Sequence, residues 1–378
     1  MSRCLLALAT KLRSHSGHFS SYYQWMEQAA KHNSWKFEAL VPENHSFRSL
    51  PRSWSPCLPC RSPLLAPRCI RKRHDRYLRA KAIRRKLKLI TGRQSDCLLF
   101  HECFDLENLA VLGQAVAKIS TQHLSVCLLY RAFSEWTEET VSQFSYWNQR
   151  LQSQLGPDRF FLVTDCQQSI PYFTDSFAQP LQVLPVIHAL PHMEKGPESL
   201  KSISCWSPGV PKENKGIKVL GNLLSRKEVA ADGVVFFVPK EVEGACSGGA
   251  VARQIVDTGL SRDEYIRLLS TTDVVVLPYS PQAYSQKTSG VFVEAVSAGK
   301  LPLVTRGTWM ASELERFRLP ELIVDWNRED FYAYLVSSFE DLCIRSRLKT
   351  MQIAYQQEHS VQSLARCFEP MMPSRLPI

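Results

Sequence analysis

The sequence predicts an α/β protein built on two parallel sheets. Short apolar segments alternate with amphipathic stretches along most of the 378 residues, which is the pattern of strands and helices wound into parallel sheets. The chain is about two and a half times as long as an ordinary ~150-residue domain, so two hydrophobic cores are expected. With 44% hydrophobic, 10% aromatic and 22% charged residues, its composition is that of a globular protein and not of a disordered, collagen-like or coiled-coil chain.

The first domain is predicted over residues 1–190. Its strands are expected at 4–10, 36–41, 97–100, 125–130, 160–163 and 181–186. Helices are expected between them, for example over 21–32 and 106–119. A stretch with proline and glycine at 188–197 breaks the alternation and is the expected linker.

The second domain is predicted over residues 191–345. Ser261 followed by Glu264 is a capping-box pattern that opens a helix. A long helical stretch, 331–366, follows, and the segment 346–378 is expected to form a C-terminal helix and tail that can pack back on the first domain. The strands are expected at 202–206, 233–238, 273–278, 301–304 and 322–324.

The positive charge of the chain is concentrated in one segment. The formal net charge is +10, and the segment from Arg68 to Arg93 carries twelve lysines and arginines against a single acid, Asp75. The remainder of the chain is therefore close to neutral. The segment follows a proline-rich loop, 51–67, and its apolar residues recur at the intervals of an amphipathic helix: Tyr77, Ala80, Ile83, Leu87 and Ile90.

Two interpretations of this basic helix stay open. A basic amphipathic helix suits an anionic membrane surface; alternatively, its apolar stripe packs on the domain and its cations face solvent. No aromatic platform or nucleic-acid motif accompanies the segment, so no specific nucleic-acid binding is expected.

Neither a transmembrane helix nor a secretory signal is predicted. The longest apolar runs are far shorter than the ~20 residues that span a bilayer. The apolar run at 4–9 is followed at once by Lys11 and Arg13, which is not the pattern of a signal peptide. A cytoplasmic protein is expected, with a peripheral position on the inner face of a membrane as the option that the basic helix adds.

The twelve cysteines do not suggest a disulfide framework, because most lie in apolar, strand-like runs. A cluster of Cys57, Cys60, Cys69 and His74 could in principle hold zinc, but it lacks the second half of the common zinc spacings. Thiols in a surface loop are the favoured interpretation, and no metal site is assigned.

The segment 273–299 carries the most chemical information. An apolar strand leads through a polar loop into a helix, which places the loop at the carboxyl edge of a parallel sheet, where such folds bind ligands. Thr288, Ser289 and Gly290 stand at the start of that helix, where free N–H groups and the positive end of the dipole favour a phosphate. Glu294, one turn further, can reach the same place and bind a ribose diol; alternatively, it is an ordinary carboxylate near a helix N-terminus.

A second phosphate contact is expected from the glycine-bearing turn at 206–216. This turn follows a predicted strand and carries Lys212 and Lys215. Two ammonium groups in such a loop can neutralise a diphosphate.

These segments resemble the donor site of GT-B glycosyltransferases of the family 4 type. The resemblance is carried by SGVFVEA at 289–295, and the KG turn at 215–216 is similar to the family's diphosphate-binding loop. In the first half, SGH at 16–18 resembles the glycine-containing loop that faces the donor, and LFHE at 99–102 resembles the strand end that places a histidine near the transferred sugar. The resemblance is strong over about 259–308 and faint over the rest of the chain.

The resemblance implies a GT-B fold, in which two Rossmann-like domains face each other across a cleft. It implies an enzyme of the hexosyltransferase type that moves a sugar from a nucleotide-diphosphate donor to an acceptor, with retention and without a metal or other cofactor. The second domain would hold the nucleotide sugar and the first would present the acceptor. The implied site residues are, as catalytic, His101, Glu294 and Gln286; as donor-binding, Gly17, Lys212, Lys215, Thr288, Ser289, Gly290, Val291 and Glu294; and as sugar or acceptor contacts, His18 and Arg131. Arg131 could instead simply pair with Glu102 or Glu135.

Two departures from the family pattern leave an alternative open. The first partner of Glu294 in the family's glutamate pair would stand at position 286, which is Gln286, and an amide carries no charge. The family's arginine would fall near Gly209 or Val210, neither of which is basic, and Lys212 is a point charge and not a bidentate fork. The alternative is a catalytically inactive GT-B-shaped protein that binds a nucleotide or a glycan.

Overall fold

The computed structural model describes residues 2–14, 19–59, 67–102, 105–131, 137–187, 202–243 and 249–373. The chain divides into two compact units, one formed by Met1–Ile187 together with Val361–Ile378 and the other by His188–Ser360. Each unit is built on its own parallel sheet, so the predicted α/β class is confirmed.

The first unit has a seven-stranded sheet. Its strands are β1 (Arg3–Leu8), β2 (Lys36–Pro42), β3 (Trp54–Leu58), β4 (Asp96–Glu102), β5 (Leu124–Tyr130), β6 (Phe160–Thr164) and β7 (Leu181–Val183). They lie in the order β3-β2-β1-β4-β5-β6-β7, and every neighbouring pair is parallel. The helices between them are α1 (Phe19–His32), α2 (Arg68–Thr91), α3 (Leu106–Val116), α4 (Glu138–Leu155) and α5 (Ile170–Phe177).

The second unit has a six-stranded sheet. Its strands are β8 (Ile203–Trp206), β9 (Val234–Pro239), β10 (Ala252–Val256), β11 (Val274–Leu277), β12 (Leu301–Thr305) and β13 (Ile323–Val324). They lie in the order β10-β9-β8-β11-β12-β13, again all parallel. Its helices are α6 (Ile217–Leu224), α7 (Lys240–Glu243), α8 (Arg262–Thr271), α9 (Pro281–Tyr284), α10 (Gly290–Ser297), α11 (Trp309–Arg316), α12 (Phe331–Glu340) and α13 (Leu342–Glu358).

The central strands could be predicted from the sequence because both of their faces are buried. Every residue of β4, β5 and β11 is buried, and a strand covered on both faces reads as a continuous apolar run. Two edge strands were not predicted. β3 falls inside the expected proline-rich loop, and its Pro56 is tolerated because an edge strand needs fewer backbone donors; β10 is largely exposed and has no apolar run to mark it.

The long helical stretch at the C-terminus is broken into three helices. Asp341 ends α12 and caps α13, where its carboxylate accepts hydrogen bonds from the N–H groups of Cys343 and Ile344 at 2.7 and 3.0 Å. The third helix, α14 (Val361–Phe368), belongs to the first unit. There it buries Phe368, whose ring packs edge-on against Phe100 at 5.8 Å.

The strand order of each sheet reverses next to its first strand. In the first unit β1 lies between β2 and β4, and in the second unit β8 lies between β9 and β11. The loops that leave the two central strands at such a point run in opposite directions, which opens a crevice outside the carboxyl ends of the strands. Each unit therefore has a position where a ligand can approach backbone and loop side chains.

Helix α2 uses its apolar stripe to pack on the first unit. Ala80, Ile83 and Leu87 are buried, and Ile90 packs against the same core. Tyr77, the remaining member of the predicted stripe, is 52% exposed. The stripe is therefore not available to a membrane, and what α2 presents to solvent is its cationic face. Within the described residues, none of the helices combines the length and the apolar character needed to cross a bilayer.

Two leucines of α2 provide a matched test of this packing. Leu87 is fully buried and Leu89 is 51% exposed. We expect Leu87→Ala to lower the free energy of unfolding by about 2–5 kcal/mol, because it leaves a cavity in the core, and Leu89→Ala to change it by less than about 0.5 kcal/mol. Urea denaturation of both variants measures the difference, and equal losses would show that the stripe is not packed as described.

Candidate functional site

The turn that carries Lys215 is fixed against the end of β11. Gly216 has a φ of +74°, and a Cβ at this position would stand 2.0 Å from the carbonyl oxygen of Pro278, so only glycine lets the two backbones approach so closely. The Ser280 N–H donates to the Asn214 carbonyl at 3.0 Å. The loops that follow β8 and β11 are thereby joined at the switch point of the second sheet.

Three lysines converge at this place. Burial lowers the pKa of Lys215, and the neighbouring ammonium groups of Lys212 and then Lys287 lower it further. The Lys215 Nζ lies 2.8 Å from the position that a Cβ of Gly209 would occupy, so the loop after β8 bends around the ammonium group. Like charges held together in this way repel each other unless an anion lies between them.

Two tyrosines support the ammonium groups. The rings of Tyr279 and Tyr284 pack at 4.5 Å between centroids. Lys215 Nζ stands 5.6 Å from the centre of the Tyr279 ring, and Lys287 Nζ stands 5.4 Å from that of Tyr284. Both distances suit cation–π attraction, which offsets part of the repulsion between the lysines.

The N-terminus of α10 follows directly after this loop. Ser289 is the N-cap residue, and its hydroxyl accepts a hydrogen bond from the Phe292 N–H at 3.3 Å. Thr288 precedes the cap, and Gly290 and Val291 form the first helical positions. Because the first N–H groups of a helix have no partner within it, this end of α10 presents donors and a positive dipole next to the lysines.

Glu294 is buried one turn into α10 and is held by Arg262. The glutamate is 3% exposed, and the Arg262 Nη1 donates to its Oε1 at 2.6 Å. Arg262 opens α8, after the capping box of Ser261 and Glu264 that the sequence predicts and the structure confirms. Burial, and then the Glu294 carboxylate, raise the pKa of Tyr265 well above its usual range, so the tyrosine stays neutral beside this ion pair.

Sequence reasoning missed two members of this group. Arg262 is 32 positions from Glu294, and no spacing connects the two residues. Lys287 lies beside Gln286 in the loop after β11, and no sequence pattern distinguishes it from an ordinary surface lysine. Gln286 and Lys287 are both exposed, as expected for groups that would meet a ligand at the surface of this unit.

The predicted residues of the first unit fall into two groups. Gly17 and His18 lie outside the described residues. His101 is fully buried near the end of β4, and its Nδ1 lies 3.4 Å from the Leu8 carbonyl oxygen on β1. Burial lowers the pKa of His101 to about 4, so the ring is neutral at physiological pH.

Arg131 forms a buried ion-pair network. Its Nη1 lies 2.5 Å from Glu102 Oε1, and its Nε donates to Asp165 Oδ2 at 2.7 Å. Burial raises the pKa of Glu102 to about 7 although Arg131 opposes the shift, and Asp165 adds to it. Arg131 therefore pairs with Glu102, as one of its two expected roles requires; Glu135 lies outside the described residues.

The cysteine and histidine cluster does not assemble into a metal site in the described part of the chain. Cys57 is half-buried on β3 and Cys69 is exposed on α2, and no group of three or more potential ligands occurs among the described residues. Cys60 lies outside them.

No protein-family model and no curated protein sequence matches this chain. Solved structures do match over nearly its whole length. An E. coli structure described as trehalose-6-phosphate bound with UDP-2-fluoro glucose has a TM-score of 0.65 at 12% identity and covers 100% of both chains. An α,α-trehalose-phosphate synthase (UDP-forming) from Burkholderia xenovorans in complex with glucose-6-phosphate has a TM-score of 0.62 at 11% identity, covering 97% of this chain and 99% of its own. Anabaena HepE in complex with UDP and glucose has a TM-score of 0.60 at 11% identity, with coverage of 97% and 98%.

These matches establish the fold. They are GT-B glycosyltransferase structures with two Rossmann-like domains, so this chain has the GT-B fold that the resemblance implied.

The burial of His101 predicts a pH dependence. We expect its ring to titrate near pH 4 and not near the ordinary value of about 6.5. Since the unfolded chain then takes up this proton before the folded one, the free energy of unfolding falls as the pH drops from about 6.5 through 4, by up to ~3 kcal/mol. Ring NMR signals followed against pH measure the pKa directly, and a midpoint above pH 6 would contradict the burial; a His101→Phe variant should lack this part of the decline in stability.

Proposed function

We propose that this chain is a glycosyltransferase that takes a hexose from a nucleotide-diphosphate donor bound to the second unit. The observation that carries the proposal is the clustering of Lys212, Lys215 and Lys287 in the loops that follow β8 and β11, just ahead of α10 in the chain. A half-buried ammonium group beside two others is unfavourable, and a diphosphate placed there would relieve the repulsion and also accept hydrogen bonds from the first N–H groups of the helix.

Glu294 is proposed to bind the ribose of the donor. Arg262 donates to its Oε1 and thereby fixes the orientation of the carboxylate, which would accept hydrogen bonds from the ribose hydroxyls. A carboxylate held in one orientation loses less entropy on binding than a mobile one. Arg262 is therefore a positioning residue in this proposal.

The proposed chemistry follows from the charge that develops during transfer. The bond between the anomeric carbon and the diphosphate oxygen breaks, and the sugar becomes oxocarbenium-like while negative charge gathers on the diphosphate. The lysines and the α10 dipole would stabilise this leaving group, and in this proposal they act in place of a metal cation. The acceptor hydroxyl then bonds to the anomeric carbon and releases its proton, which can pass to the departing diphosphate. Retention of the anomeric configuration is carried over from the resemblance to family 4.

The comparisons support the choice of donor class. Two of the matching structures are described with UDP-2-fluoro glucose or with UDP and glucose, and we propose a donor of the same chemical class here. The acceptor is assigned to the first unit, where His101 lies at the switch point of the sheet. Gln286 keeps the alternative open: a GT-B-shaped protein without catalysis would bind a nucleotide or a glycan and transfer nothing.

Two lysines of one short segment test the diphosphate site. Lys215 is held over Tyr279, whereas the Lys218 side chain is 81% exposed and pairs with Glu213 at 2.9 Å. We expect Lys215→Gln to weaken UDP binding by about tenfold or more, equivalent to ~1.4 kcal/mol, and Lys218→Gln to leave it within about twofold because an exposed pair contributes little. Isothermal titration calorimetry gives the dissociation constant of UDP for each variant. Equal weakening in both variants would show that the diphosphate does not bind at Lys215.

Turnover separates the enzyme from the inactive alternative. Nucleotide sugars that raise the melting temperature would be tested as donors by release of the nucleotide diphosphate, with and without candidate acceptors. Nucleotide binding without release of sugar from any donor would favour the inactive protein. Glu294→Ala should abolish release of the nucleotide diphosphate while the variant stays folded. Full activity in that variant would show that Glu294 does not belong to the site.

We further propose that the exposed face of α2 docks the enzyme on an anionic membrane. Eight exposed cations in and just after this helix have no acidic partner among the described residues: Arg68, Arg71, Lys72, Arg73, Lys81, Arg85, Lys88 and Arg93. Ile70, Tyr77 and Leu89 are each about half exposed beside them. Each cation near anionic headgroups contributes roughly 1 kcal/mol, so the summed attraction would hold the protein at a surface without insertion of the buried stripe.

Vesicle sedimentation tests this docking surface. Vesicles with about 30% phosphatidylserine should bind the protein, and binding should weaken as salt is raised because charge attraction is screened. A variant with Arg73, Lys81, Arg85 and Lys88 changed to Gln should lose most of the binding. The matched control removes four exposed cations elsewhere, Lys31, Lys118, Arg150 and Lys349; an equal loss in both variants would mean that net charge and not this surface is responsible.

A further inference from the structure

The proposed donor site carries more positive charge than a diphosphate can neutralise. Residues 207–218 and 278–294 cover the turn after β8, the loop after β11 and the start of α10, and they contain two acids. Both acids have a basic partner: Glu213 pairs with Lys218 at 2.9 Å, and Glu294 accepts a hydrogen bond from Arg262 at 2.6 Å. Three further cations remain in these segments, namely Lys212, Lys215 and Lys287.

The diphosphate of a nucleotide sugar matches only two of these cations. Each of its phosphates is bonded on both sides and therefore carries one negative charge at neutral pH. Lys212 and Lys215 belong to the same turn and supply two positive charges for it. Lys287 belongs to the loop after β11 and adds a third, just ahead of the positive end of the α10 dipole. Since like charges held together are unfavourable, the donor is expected to bring a further negative charge to this loop.

The order of the chain places this loop on the sugar side of the diphosphate. In the proposed arrangement Glu294 binds the ribose and the N-terminus of α10 binds the diphosphate, so the sugar extends away from Glu294 towards the residues before the cap. Gln286 and Lys287 precede the cap residue Ser289 by three and two positions, and both are exposed. Three residues of chain span at most ~11 Å, so a hexose bonded to the diphosphate comes within reach of both side chains.

The chemistry of Gln286 and Lys287 suits a carboxylate. The Gln286 amide carries two N–H donors and no charge, and the Lys287 ammonium group can add a charge-assisted hydrogen bond. Lys287 Nζ stands 5.4 Å from the centre of the Tyr284 ring, and Tyr284 packs on Tyr279 at 4.5 Å between centroids. The cation–π contact restricts an otherwise mobile side chain, so less entropy is lost when the ammonium group binds an anion.

We propose that the sugar of the donor carries a carboxylate, as in a hexuronic acid, and that Gln286 and Lys287 bind this carboxylate while Lys212 and Lys215 hold the diphosphate. Gln286 is then a specificity-determining residue, because an amide accepts an anionic sugar that a glutamate at the same position would repel. The inference rests on the proposed function, since it assigns the class of sugar that the proposed donor site takes.

Two donors that differ at one carbon test the inference on the unchanged protein. UDP-glucuronate has a carboxylate where UDP-glucose has a hydroxymethyl group. We expect UDP-glucuronate to bind at least about fivefold more tightly, equivalent to ~1 kcal/mol, in isothermal titration calorimetry at one fixed ionic strength. Equal affinities would overturn the inference, because the third lysine would then serve the diphosphate alone.

Substitutions in the loop assign the preference to these side chains. Gln286→Glu should reverse it, so that UDP-glucose binds more tightly, because a carboxylate then faces a carboxylate. Lys287→Gln should bring the ratio of the two dissociation constants close to one. The ratio is the informative quantity, since any effect on the diphosphate is common to both donors.

Gln357→Glu is the matched control for the added charge. Gln357 is exposed on α13, beside the C-terminal end of α10, where the neighbouring Gln356 Nε2 donates to the Ser297 carbonyl at 2.8 Å. The preference for UDP-glucuronate should stay within about twofold of that of the unchanged protein. An equal change of the ratio in Gln286→Glu and Gln357→Glu would mean that net charge is responsible, and the inference would fail.

UDP without a sugar separates this inference from the proposed donor site. We expect UDP to bind the unchanged protein and to depend on Lys215. If it does so while the two nucleotide sugars bind equally, the donor site stands and the assignment of the sugar is wrong. If UDP does not bind at all, the donor site itself is wrong and the inference is overturned with it.

Discussion

The half-buried ammonium group of Lys215 is the constraint on which the proposed site of the second unit depends. Partial burial next to two other ammonium groups is unfavourable for a positive charge, yet the local backbone is arranged to keep it there. Gly216 permits the contact with the Pro278 carbonyl, and the packed rings of Tyr279 and Tyr284 lie within cation–π distance of Lys215 and Lys287. An anion at the start of α10 would offset the repulsion between these ammonium groups, and the donor site proposed above depends on this.

Both units carry polar groups at the point where the strand order of their sheet reverses, but the chemistry of these groups differs between the two units. Each sheet reverses its strand order beside its first strand, and each leaves polar groups at that reversal. In the second unit they are lysines that lie over tyrosine rings ahead of a helix N-terminus. In the first they are a buried neutral histidine and the Asp105 carboxylate, which caps α3. A ligand with a concentrated charge suits the second unit.

The sequence predicts those features that depend on local pattern. Strands buried on both faces and the capping box at Ser261 follow from local sequence patterns. The meeting of the Lys215 turn with the loop after β11 follows from the shared edge of parallel strands. The pairing of Arg262 with Glu294 could not be predicted, because it depends on how two helices pack. The edge strand β3 was not predicted because its proline is typical of a loop. The apolar stripe of α2 predicts a buried face but does not indicate whether protein or lipid covers it. Where Arg131 is concerned, the sequence offered two roles, and only the packing of β4, β5 and β6 brings Glu102 and Asp165 to it.

The return of α14 to the first unit has a consequence for biosynthesis. Its Leu364, Ala365 and Phe368 complete a core whose other members come from the beginning of the chain, and the whole second unit is encoded between them. During translation, the apolar surface that α14 covers therefore stays exposed until the second unit and α14 have been synthesised. Domains that emerge first normally fold first, but here the first unit can complete its core only after the whole second unit has been synthesised.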